Sequence, residues 1–231
     1  MIYSIVLDRD ELGRRLGGGI AAGTITIIEG PDGAGKSVLT QRFTYGLLEN
    51  KHTVTYISTE LSTKGFIRQM QNLGYNILKY LISRRLMFFP VFPPSAKKIR
   101  EKKDLIDRLI RAEFLFINDV TIIDALNPML PNGTLPEKTL FDFIGFLKKT
   151  IQKGRSIVLT YDPESVDSTV VERLREVADN YLELKAEVVG DDIKNIIYVR
   201  RWKAEKDVTK VIKFRVEPKF GIVIDISAFA I

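Results

Sequence analysis

Residues Gly30-Pro31-Asp32-Gly33-Ala34-Gly35-Lys36-Ser37 carry the spacing G-x-x-x-x-G-K-[ST] of a phosphate-binding loop. Glycines let a backbone curl around a phosphate with no Cβ in the way. The curl aims successive N–H groups at one point, at the start of a helix that Val38 continues, and so makes an anion nest. In this arrangement Lys36 reaches the β- and γ-phosphates of ATP, both binding and activating them, and the Ser37 hydroxyl ligates Mg²⁺. A random match to this pattern in a chain of 231 residues is roughly a 1-in-100 event at ordinary residue frequencies. The flanks agree with the motif. Thr24 to Ile28 reads as a buried β-branched strand and Val38 to Phe43 as a helix.

An ATP-binding loop of this kind needs an acid at the end of a buried strand to hold the Mg²⁺ shell. Two segments qualify, Phe114 to Asp119 and Val120 to Asp124. Asp124 is preferred because its strand is β-branched. Phe114 to Ile117 reads as a continuation of the preceding helix, and Asp119 suits the turn into the strand. Residue 125 is alanine, so no glutamate directly follows the Mg²⁺ acid and a water-activating base must come from elsewhere. Glu60, after the apolar strand Thr53 to Ser58, lies beside the loop if the sheet is parallel and those strands are near neighbours. The alternative is that Glu60 only opens the following helix, where a carboxylate suits the dipole.

The elements that must position these groups alternate. After the loop and its helix, strands are predicted at 53–58, 86–89, 120–123 and 155–161, with helices at 63–72, 77–85, 96–114, 137–152 and 168–177. Beyond Asp179 the pattern becomes consecutive strands at 181–189, 194–203, 208–216 and 221–226, with a turn at Gly190-Asp191-Asp192 and a last strand over Ile226 to Ile231. This predicts one α/β domain spanning residues 1–231, with a mostly parallel twisted sheet flanked by helices and extended by antiparallel strands.

Composition narrows the chemistry. The chain has no cysteine and a single histidine, His52. Disulfides, thiolate metal sites, histidine metal clusters and histidine-based triads are therefore excluded. The most apolar run, Phe114 to Leu130, is interrupted by Asn118, Asp119, Asp124 and Asn127, so it is not a membrane span. The start has no signal-peptide pattern, which predicts a soluble intracellular protein. The net charge of +6, with clusters at Arg84-Arg85, Lys97 to Lys103 and Arg200-Arg201, is compatible with a solvated basic surface or an acidic partner.

Several segments together resemble the KaiC-like ATPases of the RecA superfamily. Asp10-Glu11-Leu12, Leu16 to Ile20 and Gly23 look like their entry segment. Tyr56 to Glu60 looks like their second strand and catalytic glutamate, Ile122 to Leu126 like their Walker B strand, and Val177 to Leu184 like the passage into their last strands. The resemblance implies a RecA-like P-loop core. For a single domain of this length it is nearest to the branch serving the archaellum motor. It further implies a homo-oligomeric ring, a hexamer, beneath the motor ATPase, scaffold ring and membrane platform, at the cytoplasmic face of the membrane. Arg201 and Lys203 match the family's basic pair that reaches the γ-phosphate from a neighbouring subunit, in inverted order. Glu60 is followed by Leu61 where the family often has a second glutamate, which implies slow hydrolysis and nucleotide acting as an assembly signal. A DNA-dependent ATPase of the RecA/RadA-paralogue type is the alternative. The chain lacks the aromatic-plus-basic stacking surface expected of a single-strand binder, so nucleic acid is not an expected partner.

Overall fold

The structure, a computed structural model, describes residues 1–91, 105–189, 192–204 and 206–225. In chain order its strands are β1 (Ile2–Ser4), β2 (Gly19–Ala21), β3 (Ile25–Glu29), β4 (Val54–Ser58), β5 (Leu86–Pro90), β6 (Val120–Asp124), β7 (Ser156–Tyr161), β8 (Asn180–Val189), β9 (Asp192–Arg201), β10 (Val211–Glu217) and β11 (Gly221–Ile224). The helices are α1 (Leu12–Arg15), α2 (Lys36–Glu49), α3 (Thr63–Asn72), α4 (Leu78–Ile82), α5 (Leu105–Arg111), α6 (Glu137–Gln152) and α7 (Ser168–Val177).

Every residue of β3, β4, β6 and β7 is buried, as parallel strands covered on both faces must be. Alternate side chains serve two cores. Ile28, Tyr56, Ile122 and Val158 pack with α2, α3 and α4 on one face. Ile27, Ile57, Ile123 and Leu159 pack with α5, α6 and α7 on the other. The nine strands of the main sheet run β11-β10-β9-β8-β3-β7-β6-β4-β5. Pairings from β8 to β5 are parallel, and those from β8 to β11 antiparallel. The expected mostly parallel sheet with antiparallel C-terminal strands is therefore present. Pro90 is accommodated because it ends β5, an edge strand that needs no donor on its outer side.

Residues 2–4 and 19–21 form a small antiparallel sheet, β1 with β2, with α1 between them in the chain. Arg42 of α2 fastens this segment. Its Nε and Nη2 donate to Asp10 at 2.6 and 2.7 Å, and its Nη1 donates to the Ile5 carbonyl at 3.0 Å. The two side chains are 0% and 3% exposed.

Helix α5 ends at Arg111 and a separate 3₁₀ turn covers Glu113–Phe116. Phe114 to Phe116 thus do not continue the helix, because Ala112 leaves the helical conformation with ψ +55°. The predicted helix over 96–104, the basic segment Lys97 to Lys103, residues 190–191 of the predicted turn and the predicted strand Ile226 to Ile231 lie outside the described residues.

Replacing Asp10 by alanine strands a buried guanidinium. The expected loss in unfolding free energy is about 3–5 kcal/mol, the usual consequence of removing one partner of a buried pair. Urea denaturation of the variant against wild type measures it.

Candidate functional site

The loop leaves β3 at Gly30, whose N–H donates to the Tyr161 carbonyl at 3.3 Å. A Cβ at Gly30 would collide with the Leu184 carbonyl oxygen of β8, so glycine is required there by close approach. Gly33 and Gly35 have φ of +80° and +89°, the left-handed region in which only glycine is unstrained. Gly35 then caps α2 and turns its first amides toward the mouth of the sheet. The Lys36 ammonium donates to the carbonyls of Gly30 at 2.6 Å and Pro31 at 2.9 Å, and lies 3.7 Å from Asp32.

Asp124 ends β6 directly opposite. Its Oδ1 accepts from Ser37 Oγ at 3.2 Å and Thr160 Oγ1 at 3.0 Å, and its Oδ2 from the Tyr56 hydroxyl at 2.8 Å. The carboxyl is buried, and burial raises its pKa against the opposing pull of these three hydrogen bonds and of Lys36. Tyr56, wholly buried beside it, has its hydroxyl pushed well up by burial and by the Asp124 charge, so it remains a donor. Asp119, the other candidate acid, is at the opposite end of the same strand. There its Oδ2 accepts from the Thr53 backbone N–H at 2.8 Å and the Thr53 hydroxyl at 2.9 Å.

Glu60 lines the same cleft as Lys36, Ser37 and Gly33, a concavity of about 530 Å³. The sheet order corrects the simple expectation about how it gets there, since β7 and β6 lie between β3 and β4. All four strands are parallel, so their C-terminal ends open on one cleft even though β3 and β4 do not touch. Partial burial, together with Asp124 and Asp32, holds the Glu60 carboxyl above the usual range, with Lys36 opposing.

Sequence reasoning missed several lining residues. Thr160 bridges Asp124 and the Ala125 N–H, which donates to it at 2.7 Å. Asn127 and the Asp162 backbone form a reciprocal pair at 2.9 and 2.8 Å. A polar residue near the C-terminal end of an apolar strand, as in Ser156 to Tyr161, was the available signal for Thr160. Asn127 had none, because its partner is 35 residues away.

Arg201 and Lys203 are not brought to this cleft. Arg201 donates to the Ala178 carbonyl, the Lys203 backbone N–H donates to Asn180 at 2.7 Å, and the Lys203 ammonium lies 3.9 Å from Asp179. Asn180 pairs with Thr26 at the far end of β3. Four residues of strand, roughly 13 Å, separate that level from Gly30.

The donor set suits a hydrated hard cation bound mainly through phosphates: one carboxylate, one hydroxyl and an adjoining amide nest. Among the described residues, no three His, Cys, Asp or Glu side chains converge into a protein-only metal cage. Ser37 and Asp124 would hold Mg²⁺, which would neutralise phosphate charge and favour the ionised form of Asp124.

Comparison with known proteins agrees with this geometry. Residues 10–228 match the family described as the KaiC ATPase. The chain is 36% identical over 227 residues to the archaeal flagellar ATP-binding protein FlaH of Methanocaldococcus jannaschii, covering 98% of this chain and 97% of that protein. It is 34% identical to FlaH of Methanococcus voltae, covering 98% of both. The crystal structure of the flagellar accessory protein FlaH from Methanocaldococcus jannaschii superposes with a TM-score of 0.90 at 35% identity, covering 98% of this chain and 100% of that one. No helix among the described residues is long and apolar enough to cross a membrane.

The two acids of β6 should separate cleanly. Asp124→Asn is expected to weaken Mg²⁺-dependent ATP binding at least tenfold, about 1.4 kcal/mol. Asp119→Ala should leave ATP affinity unchanged while lowering stability by about 1–3 kcal/mol through the lost Thr53 bonds. Isothermal titration and urea denaturation on both variants check this.

Proposed function

The chain belongs to the KaiC ATPase family, and from that premise we propose that it is an ATP–Mg²⁺-binding ring component of the archaellum motor, in which nucleotide controls assembly and is hydrolysed slowly. The similarity to the FlaH proteins supports the assignment to the archaeal flagellum. In this reading residues 1–231 act as one ATP-binding domain, in a homo-oligomer of about six copies. The ring sits at the cytoplasmic face of the membrane through the motor ATPase, scaffold ring and membrane platform.

The observation that carries the proposal is the contrast within the cleft. The residues that would hold ATP converge there: the glycine loop, Lys36, Ser37 and Asp124. The means of activating water are sparse. Glu60 is the only glutamate among the described residues that line the cleft, and Ala125 follows the Mg²⁺ acid. Glu60 would accept the proton of the attacking water, and its raised pKa favours that task at the cost of a smaller ionised fraction. Arg201 and Lys203 lie too far from their own loop to serve it, which supports a contact to the nucleotide of a neighbouring copy.

Sedimentation velocity with and without ATP–Mg²⁺ tests the assembly claim. Wild type should shift to a ring with nucleotide, Lys36→Ala should not, and R201A/K203A should bind ATP yet remain dispersed. An oligomer distribution indifferent to both nucleotide and Lys36→Ala would overturn it. Glu60→Gln should abolish the slow turnover while keeping ATP-dependent assembly. Because the base must be ionised and its pKa is raised, the rate in wild type should fall on acidification at a higher pH than a free glutamate would dictate.

A further inference from the structure

Glu29 is the last residue of β3, and so the last fixed point of the chain before the phosphate loop. Its side chain is 3% exposed. Three separate elements donate to it. Arg175 of α7 gives Nε to Oε2 at 2.9 Å and Nη2 to Oε1 at 2.6 Å. Tyr161 of β7 donates to Oε2 at 3.1 Å, and Tyr181 of β8 donates to Oε1 at 2.5 Å. Burial and the nearby Glu29 hold both phenols well above their usual range, so they stay neutral donors. The hydrogen bonds to Glu29 likewise raise the already high pKa of Arg175.

Among the described residues the counter-charge in this cluster is thus a single guanidinium, and it reaches in from the surface, with its own side chain 40% exposed. A carboxylate withdrawn from water must be compensated. Here the requirement is sharper, because the next residue opens a loop whose ligand is a polyanion. An uncompensated Glu29 would oppose a triphosphate through a medium of low dielectric.

We propose that Arg175, acting through Glu29, is a charge-compensating residue for the nucleotide: by pairing with Glu29 at the end of β3 it cancels a buried negative charge that stands beside the phosphate loop in addition to Asp124. The inference rests on the nucleotide-binding reading of the loop. It names a residue on the far face of the sheet, 138 positions after Ser37 in sequence (175 minus 37), that touches neither phosphate nor metal. A purely structural ion pair would support stability alone and leave ATP affinity untouched.

The test is titration of the full chain with ATP–Mg²⁺ well below every unfolding midpoint, with urea denaturation in parallel. Arg175→Met should raise the ATP Kd on the order of tenfold, the scale of one uncompensated charge at an effective dielectric of about 20. Arg175→Lys, which keeps the charge, should retain most of the affinity. The double variant E29Q/R175M should recover it, because the amide carries no charge and stays hydrogen-bonded, its oxygen accepting from one tyrosine and its NH2 donating to the hydroxyl oxygen of the other. Glu29→Gln alone should bind ATP more tightly than wild type, since it leaves the guanidinium uncompensated. That variant decides the matter even if Arg175→Met does not fold. A Kd unchanged in Arg175→Met despite lower stability, a double variant as weak as the single, or weaker binding by Glu29→Gln would each overturn the proposal. Lys36→Ala separates the underlying reading: if it binds ATP as well as wild type, the loop itself is not the site.

Discussion

One buried carboxylate gathers the site. Asp124 accepts hydrogen bonds from α2 through Ser37, from β4 through Tyr56 and from β7 through Thr160. Each bond to a charged acceptor contributes about 1.5–3 kcal/mol, against the cost of holding that acceptor out of water. The net stabilisation is modest, and the geometric consequence is larger. No one of these three elements can shift without breaking a bond to the same group. The ends of β4, β6 and β7 and the start of α2 are therefore held in register around the cleft.

Two ion pairs, each with a buried carboxylate, extend this logic to either side of the loop. Asp10 with Arg42 fixes the small N-terminal sheet against the helix that follows the loop. Glu29 with Arg175 fixes the end of the strand that precedes it. Ion pairs withdrawn from water on one or both sides are weak evidence for stability. Their placement on the two flanks of one flexible glycine segment is better understood as constraint on position. Between them the loop keeps its conformational freedom only where glycine supplies it, at Gly33 and Gly35.

The structure also explains why a cleft can draw on strands that are not neighbours. β3 and β4 are separated by β7 and β6, yet the loop after one and Glu60 after the other line the same concavity. Parallel strands deliver all their C-terminal ends to one edge, so distance across the sheet is bridged by the cleft. Asp119 precedes β6 and Arg201 ends the antiparallel β9, so both lie at the opposite edge. Trp202, next to Arg201, is used for packing against Phe43 at 6.3 Å between ring centroids.

What the sequence determined was local. The phosphate loop is legible because its function demands consecutive residues. The helices at Thr63–Asn72, Glu137–Gln152 and Ser168–Val177 are legible in the sequence at their observed bounds, and two of them begin on a capping side chain, Ser62 accepting from the Gly65 N–H and Asp167 from the Thr169 N–H. Asp124 could be preferred over Asp119 from strand character alone. The tertiary structure decided everything that joins distant segments: the β1–β2 pairing across 14 intervening residues or more, the strand order, Thr160 and Tyr56 around Asp124, and Arg175 around Glu29. Spacing in the chain carries no record of such partners. They are selected by which buried polar groups are left needing one once the sheet has closed, and only the folded chain shows that.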